Sequence, residues 1–174
     1  MRTLLDLDTH DYDPALPSID RTAVRGVIFR EGQLLMIQSS FGEVKFPGGG
    51  QEAGESDLDT LLREVLEETG YHVQPDSVKP LGQVVEKRLS RREPMIWHQI
   101  NRYYLCWIEG EQEACQYSQN EQKYGMHQLW LPLSEALELN RQMLDREGET
   151  PWNQREYRVL EWLAEQVEAG LLVP

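Results

Sequence analysis

Short apolar segments alternate with polar breaks along most of the chain, and their spacing predicts strands on both sides of a helix. Apolar and β-branched residues predict strands at 23–30, 33–39, 71–75, 82–89, 96–108 and 129–131. Glu31 and Gly32 separate the first two strands and predict a hairpin. Helical spacing predicts two late helices, at about 133–144 and 151–168. This order of elements predicts an α/β fold with a mixed β-sheet between helical layers.

The central helix is predicted by apolar residues that recur every three or four positions. They form one stripe that we expect to bury against the sheet, comprising Leu58, Leu61, Leu62, Val65 and Leu66. Ser56 and Asp59 have the spacing of a capping box at the start of this helix, and Gly70 suits its end. Residues 47–50 (Pro-Gly-Gly-Gly) predict a loop before it, because glycine takes positive φ at low cost and lets the backbone approach a ligand closely.

Three carboxylates, Glu64, Glu67 and Glu68, lie at i, i+3 and i+4 on a different face of the predicted helix. Like charges at i,i+4 destabilise a helix by roughly 0.2–0.5 kcal/mol, and anions in the last turn also oppose the helix dipole. A solvated acidic face would carry both costs, whereas a divalent cation would reverse them, and we expect no other counter-charge for these residues. Oxygen ligands of this kind suit Mg²⁺ or Mn²⁺, so the pattern predicts a metal site.

The length of 174 residues indicates one domain, which we divide into an N-terminal extension over residues 1–20 and a single domain over 21–174. The extension is expected to be irregular, because Asp-Tyr-Asp-Pro and Leu-Pro interrupt it. The net charge of −13 argues against non-specific binding to nucleic acid or to an anionic membrane. Neither a signal-peptide core nor a membrane-spanning apolar run occurs in the sequence, which predicts a soluble, cytoplasmic protein.

The cysteines and histidines argue against thiol or zinc chemistry. Cys106 lies inside an apolar strand and is predicted to be a small buried hydrophobic residue. The four histidines are scattered along the chain, so the sequence predicts no zinc-binding constellation.

Glycine, carboxylate and arginine residues fall at fixed spacings in residues 49–71, which read GGQEAGESDLDTLLREVLEETGY. The pattern consists of Gly49, Glu55, Arg63-Glu64-Val65, Glu67-Glu68 and Gly70-Tyr71. It resembles the signature box of the Nudix (MutT-like) hydrolases, and Tyr71 departs from it because the family usually has an aliphatic residue there. The resemblance implies the α/β/α Nudix sandwich. It also implies hydrolysis of a diphosphate linkage, in a nucleoside diphosphate derivative or related organic pyrophosphate, by attack of a metal-bound water.

The same resemblance implies roles for residues in and near the box. Four metal ligands are implied, namely the backbone carbonyl of Gly48 and the carboxylates of Glu64, Glu67 and Glu68. Arg63 would orient a box carboxylate and pair with Glu55. Glu64 is the better candidate for orienting or deprotonating the attacking water. Glu121, in a predicted loop over 119–125, is the alternative, because many Nudix proteins carry a loop carboxylate or glutamine near this place.

Cations and aromatic residues outside the box are candidates for substrate binding. Residues 87–92 (Lys-Arg-Leu-Ser-Arg-Arg) form a basic run in a strongly acidic chain. Arg88 and Arg91 are the candidate binding residues of this run. Three interpretations stay open: a solvated hairpin tip, an arm that meets substrate phosphates, or a contact with the acidic surface of a second subunit in a homodimer. Arg25 and Lys45 flank the expected site and either contact phosphate or are surface charges. Trp97 either stacks on a base or belongs to the core.

The sequence therefore predicts a Nudix pyrophosphohydrolase that depends on Mg²⁺ or Mn²⁺ and acts on a small nucleotide or pyrophosphate substrate. Two alternatives stay open, a non-catalytic nucleotide-sensing Nudix domain and an enzyme of the isopentenyl diphosphate isomerase type, which shares the fold and uses a reactive cysteine. The intact box argues against both. Positions 86, 88 and 89 hold Glu, Arg and Leu, without the proline or tyrosine associated with particular subfamilies, so the substrate is not identified.

Overall fold

The computed structural model describes residues 1–144, 146, 150 and 152–173. Its strands are β1 (Thr3–Asp8), β2 (Ser18–Val27), β3 (Phe29–Arg30), β4 (Gln33–Gln38), β5 (Val44–Lys45), β6 (Gly48–Gly50), β7 (His72–Val73), β8 (Lys79–Leu89), β9 (Ile96–Leu105), β10 (Ile108–Glu109) and β11 (His127–Pro132). Its helices are α1 (Asp57–Thr69), α2 (Gln119–Lys123), α3 (Leu133–Gln142) and α4 (Asn153–Glu168), with a 3₁₀ turn at Pro75–Ser77. None of the helices in these residues is long and apolar enough to cross a membrane.

A mixed sheet organises the fold. Its strands lie in the order β1-β8-β9-β2-β6, with β1 parallel to β8, β9 parallel to β2, and the other neighbours antiparallel. A second, antiparallel sheet has the order β11-β4-β3, and β5 also pairs with β4. The predicted hairpin is confirmed, because β3 and β4 pair across Glu31 and Gly32, both of which have positive φ. The mixed α/β architecture is confirmed as well.

Helices cover both faces of the main sheet. Val24 of β2 packs in one apolar cluster with Leu61 of α1, whereas Val27, which points to the opposite face, packs in a second cluster with Leu160 of α4. Leu58, predicted as part of the buried stripe of α1, is 39% exposed. The buried stripe of this helix is therefore narrower than predicted.

The prediction of an irregular start was wrong for part of residues 1–20. β1 forms there and pairs with β8, which adds an edge strand to the main sheet. Leu5 and Leu7 of this strand pack against the core, but the alternation is too short to stand out among the acidic and proline residues that surround it. The division into an extension over 1–20 and a domain over 21–174 stays a prediction.

The glycine-rich segment is a strand and not the predicted loop. β6 pairs antiparallel with β2, and Gly48 lies opposite Arg25. A Cβ atom on Gly48 would overlap the carbonyl oxygen of Val24, and the φ of Gly48 is 134°, a conformation that suits glycine. These glycines therefore allow two backbones to lie unusually close together.

The remaining elements lie near their predicted positions. The strand predicted at 96–108 is divided into β9 and β10. The helices predicted at 133–144 and 151–168 are α3 and α4, and residue 151 itself lies outside the described residues. Cys106 is 1% exposed, which confirms that it is a buried hydrophobic residue.

A buried arginine connects α4 to the main sheet. Arg155 donates to Glu86 of β8 at 2.7 Å and to Glu156 at 2.8 Å, and all three side chains are buried. Glu156 also accepts from the amide of Phe46 at 3.1 Å. These contacts join α4 to β8 and to the segment that leads into β6.

Replacing Arg155 by Met should destabilise the fold, because Glu86 and Glu156 would lose their buried partner. Removing one member of a buried ion pair costs about 3–5 kcal/mol. Arg158→Met is the matched control, since Arg158 is exposed and pairs with Glu161 on the surface, where such a pair contributes about 0–1 kcal/mol. Urea unfolding followed by tryptophan fluorescence measures both changes. Equal effects of the two substitutions would contradict a structural role for the buried pair.

Candidate active site

α1 carries the carboxylates of the box to the edge of the main sheet. Its predicted ends are confirmed, because Ser56 and Asp59 form a capping box and Gly70 follows the last turn with a φ of 72°. The apolar face of α1 meets β2, and the neighbouring face brings Glu64 against Gly49 of β6. A Cβ atom on Gly49 would overlap the Glu64 carboxylate, so this glycine makes room for the side chain.

Arg63 holds several groups of the box at once. It donates to Glu55 through Nε at 2.7 Å and Nη2 at 2.9 Å, and to Glu64 through Nη1 at 2.8 Å. It also donates to the carbonyl of Gly50 at 3.2 Å and to Glu67 at 3.3 Å. The hydrogen bonds from Arg63 lower the pKa of Glu55 to about 2. The pairing with Glu55 and the contact with a box carboxylate, both implied by the resemblance, are present.

Glu68 is buried beside β6 and is paired with a lysine. One of its oxygens accepts from Lys45 Nζ at 2.6 Å and the other from the Gly48 amide at 2.7 Å. Burial raises the pKa of Glu68 to about 7, and the Lys45 charge opposes this rise. Lys45 is thus a counter-charge for this helix carboxylate, as Arg63 is for Glu64. The expectation that these carboxylates have no counter-charge was wrong.

Arg25 and Lys45 are both buried. The alternative that they are surface charges was therefore wrong. Their exposed fractions are 7% and 8%. Arg25 donates to the carbonyl of Gly48, the backbone group that the resemblance implies as a metal ligand. Contact of either cation with a substrate phosphate stays a prediction.

Glu121 reaches the same cluster from α2, where the sequence predicted a loop. Its carboxylate accepts from the Ser118 amide at 2.8 Å, in a second capping box, and lies 4.0 Å from Lys45 Nζ. Burial acts to raise the pKa of Glu121, but its hydrogen-bond contacts with Glu68 and Ser118, together with the Lys45 charge, leave the pKa below its ordinary value. The Lys45 charge acts on Glu64 as well, so this lysine stands among three carboxylates.

A cavity of about 1080 Å³ brings the predicted site residues together. Its lining includes nine of them, namely Arg25, Lys45, Gly48, Arg63, Glu64, Glu67, Arg88, Arg91 and Glu121. Glu68 lies just behind the wall, bonded to Lys45. Trp97 is half-buried and lines the same cavity, so the alternative that it belongs to the core was wrong, and stacking on a base stays a prediction.

The donor set of this cavity suits a hard divalent cation. Every donor is an oxygen, which Mg²⁺ and Mn²⁺ prefer. Protein cations lie at these donors, with Arg25 at the Gly48 carbonyl, Lys45 at Glu68 and Arg63 at Glu64 and Glu67. Within the described part of the chain, no three carboxylate, histidine or cysteine side chains converge closely enough to hold a metal ion by themselves. The residues thus fit a metal by the chemistry of their oxygens, and their present partners are positive charges.

The cavity is also lined by three aromatic residues, Phe41, Tyr124 and Trp152. The sequence did not identify them as site residues. The rings of Tyr124 and Trp152 are 5.3 Å apart, and those of Phe41 and Tyr124 are 6.2 Å apart, both edge to face. They come from segments far apart in sequence, and none belongs to a periodic pattern. Their only sequence signal was their residue type, which suits contact with a planar base.

The sequence pattern of the NUDIX domain matches residues 20–163, most of the chain. The chain belongs to the NUDIX domain family. This NUDIX chain is 31% identical over 84 residues to a Bacillus subtilis protein named "Putative ADP-ribose pyrophosphatase YjhB". The match covers 48% of this chain and 39% of the relative, so the chain spans about two-fifths of that protein's length.

Three solved structures resemble this NUDIX chain. The MutT protein from Bacillus halodurans is 26% identical with a TM-score of 0.54, over 68% of this chain and 72% of that one. The ORF135 protein of E. coli is 21% identical with a TM-score of 0.58, over 86% and 92% of the two chains. A NUDIX hydrolase from Nitrosomonas europaea is 19% identical with a TM-score of 0.58, over 90% and 93%. The last two likenesses show the fold alone, and the predicted Nudix sandwich is confirmed.

Alanine substitutions at Gly48 and Gly49 should differ in cost, because Gly48 packs against backbone and Gly49 packs against a side chain. Gly48→Ala places a Cβ atom against the Val24 carbonyl at an unfavourable φ, so we expect a loss of at least about 2 kcal/mol in the free energy of unfolding. Gly49→Ala meets the flexible Glu64 carboxylate, so we expect a loss below about 1 kcal/mol. Urea unfolding measures the difference. Similar losses would show that the β6 backbone does not pack against β2 in this way.

Proposed function

We propose that this chain hydrolyses a diphosphate linkage in a nucleoside diphosphate derivative or related organic pyrophosphate. The observation that carries the proposal is one cavity that combines carboxylates with cations, namely Glu64, Glu67, Glu121, Arg25, Lys45 and Arg63. Such a mixture suits simultaneous binding of a divalent metal and a phosphate anion. Membership of the NUDIX family, and similarity to proteins named as an ADP-ribose pyrophosphatase and as MutT, support this activity.

The metal would be held by the oxygens of Gly48, Glu64, Glu67 and Glu68. When bound, Mg²⁺ or Mn²⁺ would offset the charge of the diphosphate and lower the pKa of a water molecule. Arg63 would keep Glu64 oriented, since it bonds to this carboxylate while Glu55 anchors its other nitrogens. Lys45 and Arg25 would turn from their protein partners to the phosphate oxygens of the substrate.

Glu64 is the better candidate for taking the proton of the attacking water. Burial raises the pKa of Glu64, against the hydrogen bond and charge of Arg63, and a raised pKa makes a carboxylate a stronger proton acceptor. The pKa of Glu121 is lowered, and this residue is engaged by Ser118, so it is the second candidate. Attack of the water oxygen on phosphorus breaks the bond to the bridging oxygen, which leaves with the second phosphate group.

The aromatic residues favour a substrate with a nucleoside. Phe41 is 54% exposed, and its ring, with those of Tyr124 and Trp152, offers an apolar surface inside the cavity. Tyr124 follows Glu121 by three residues, so this surface adjoins the carboxylates. A base placed there would leave its diphosphate beside the metal ligands.

The two alternative functions have less support. Cys106 is 1% exposed and burial raises its pKa to about 12, whereas a reactive isomerase cysteine needs an accessible thiolate. A nucleotide sensor without catalysis would not need the box carboxylates, which are all present together with the Arg63–Glu55 pair. A homodimer and a cytoplasmic location stay predictions.

Removal of divalent metal should abolish turnover, because the carboxylates and the diphosphate are both anionic. We expect protein stripped with excess EDTA to release no phosphate-bearing product from ADP-ribose or a panel of nucleotides, and Mg²⁺ or Mn²⁺ to restore release. Substrate and products are separated and quantified by anion-exchange chromatography. Full turnover by the stripped protein would exclude a metal requirement.

Glu64→Gln should lower kcat by at least ~10² with the fold intact, because the amide keeps the shape but cannot accept the proton. Glu138→Gln is the control, since Glu138 is exposed on α3 and pairs with Arg141. We expect the kcat of Glu138→Gln to stay within about threefold of the wild-type value. A kcat of Glu64→Gln within the same range would show that Glu64 is neither ligand nor base. A larger loss in Glu121→Gln would assign the base to Glu121.

A further inference from the structure

We infer that the preferred substrate carries a third phosphate, separate from the scissile diphosphate, and that a basic subsite binds it. The basic subsite consists of Arg21, Arg88, Arg91 and Arg92 with Trp97, all of which line the cavity. The inference rests on the proposed function, because it concerns how the same cavity extends from the box toward Arg88. The ligand class is a nucleoside diphosphate derivative that bears a phosphomonoester.

The basic subsite lies along the sheet from the box carboxylates. Ala23 of β2 pairs with Gly50 at the box on one side and with Asn101 of β9 on the other. Trp97 precedes Asn101 by four positions on β9, which corresponds to about 13 Å at 3.3 Å per residue. Arg88 lies directly opposite Trp97 on β8. Arg21 begins the subsite beside the box, because its guanidinium group lies against Gly50. A diphosphate held at the carboxylates therefore leaves the far end of the subsite, around Arg88, for another anionic group.

Trp97 orders two of the guanidinium groups. Arg21 and Arg88 lie over its ring, 5.2 Å and 5.3 Å from the ring centroid. Such cation–π contacts hold the planar groups in place and leave their N–H edges available to an anion. Because Arg21 comes from β2 and Arg88 from β8, this arrangement depends on the register of the strands on either side of β9.

One carboxylate beside the subsite is shared between two arginines. Glu86 accepts from Arg155 at 2.7 Å and from Arg88 at 3.4 Å, so two guanidinium groups share one carboxylate. Arg91 and Arg92 are exposed at the cavity rim. Arginines gathered in this way repel one another, and a phosphomonoester, with a charge of about −1.5 to −2 at pH 7, would relieve the repulsion.

A small anion fits this subsite better than the acidic surface of a second subunit. The arginines line the same cavity as the box carboxylates, so a ligand that spans the cavity meets both groups. The guanidinium fork also matches phosphate oxygens in pairs.

Nucleotide pairs that differ by one phosphomonoester test the inference, namely NADP⁺ against NAD⁺ and coenzyme A against dephospho-coenzyme A. We expect kcat/KM to be at least ~10-fold higher for the phosphorylated member of at least one pair, the scale of one hydrogen bond between charged groups. In Arg88→Ala/Arg91→Ala this ratio should fall to about 1. The control Arg141→Ala/Arg158→Ala removes the same charge from exposed surface pairs and should keep the wild-type ratio.

Two further measurements guard against a folding defect. Arg91→Ala/Arg92→Ala changes exposed residues outside the paired strands and should also lower the ratio. Calorimetric binding of adenosine 3′,5′-bisphosphate against AMP, measured without metal, reports the subsite without hydrolysis. We expect at least ~10-fold tighter binding of the bisphosphate in wild type, and loss of this preference in both arginine variants of the subsite.

The outcomes separate the subsite from the hydrolysis. Tighter binding of the bisphosphate without hydrolysis of any nucleotide would refute the proposed function, and the basic subsite would still be supported. Hydrolysis of both members of each pair with equal kcat/KM, together with equal binding of adenosine 3′,5′-bisphosphate and AMP, would refute the basic subsite. The proposed hydrolysis would then still stand. A shift toward monomer in sedimentation for Arg88→Ala/Arg91→Ala, with an unchanged ratio, would assign the arginines to a subunit contact and overturn the inference.

Discussion

The candidate active site depends on the close approach of β6 to its neighbours, which the absence of side chains on Gly48, Gly49 and Gly50 permits. Gly48 lies against the backbone of β2, Gly49 leaves space for Glu64, and the carbonyl of Gly50 accepts from Arg63. One short strand thereby holds the sheet on one side and the box helix on the other. Any Cβ atom at the first two positions would separate the groups that form the site.

Electrostatic pairing stabilises this arrangement. Charges withdrawn from water are costly unless they are paired, and Glu64, Glu68 and Glu121 each have a cation of the protein beside them. Lys45 forms ion pairs with Glu68 and Glu121, and Arg63 forms an ion pair with Glu64. The cations thus keep the carboxylates together. They also place positive charge where a substrate's phosphates would arrive.

The cavity is chemically divided, although the chain as a whole carries a net charge of −13. Its lining combines carboxylates paired with Lys45 and Arg63, arginines gathered around Trp97, and the neighbouring rings of Phe41, Tyr124 and Trp152. The arginine region follows from the sheet, because Arg21, Trp97 and Arg88 lie on the neighbouring strands β2, β9 and β8. The carboxylates come from α1 and α2, and the three aromatic residues come from segments outside the strands. A long ligand with separate aromatic and anionic parts fits such a cavity better than a compact one.

Local sequence determined α1 and its carboxylates, because the 3.6-residue repeat places Glu64, Glu67 and Glu68 near one another whatever surrounds the helix. The helix ends and the Glu31–Gly32 hairpin were predictable for the same reason, since caps and tight turns depend on neighbouring residues. Only the tertiary structure decided that the glycine segment is a strand, that residues 3–8 join the sheet, and that Lys45 and Glu121 meet at the box. Those contacts join residues far apart in the chain, and their formation depends on strand register and on buried charge that no local pattern records.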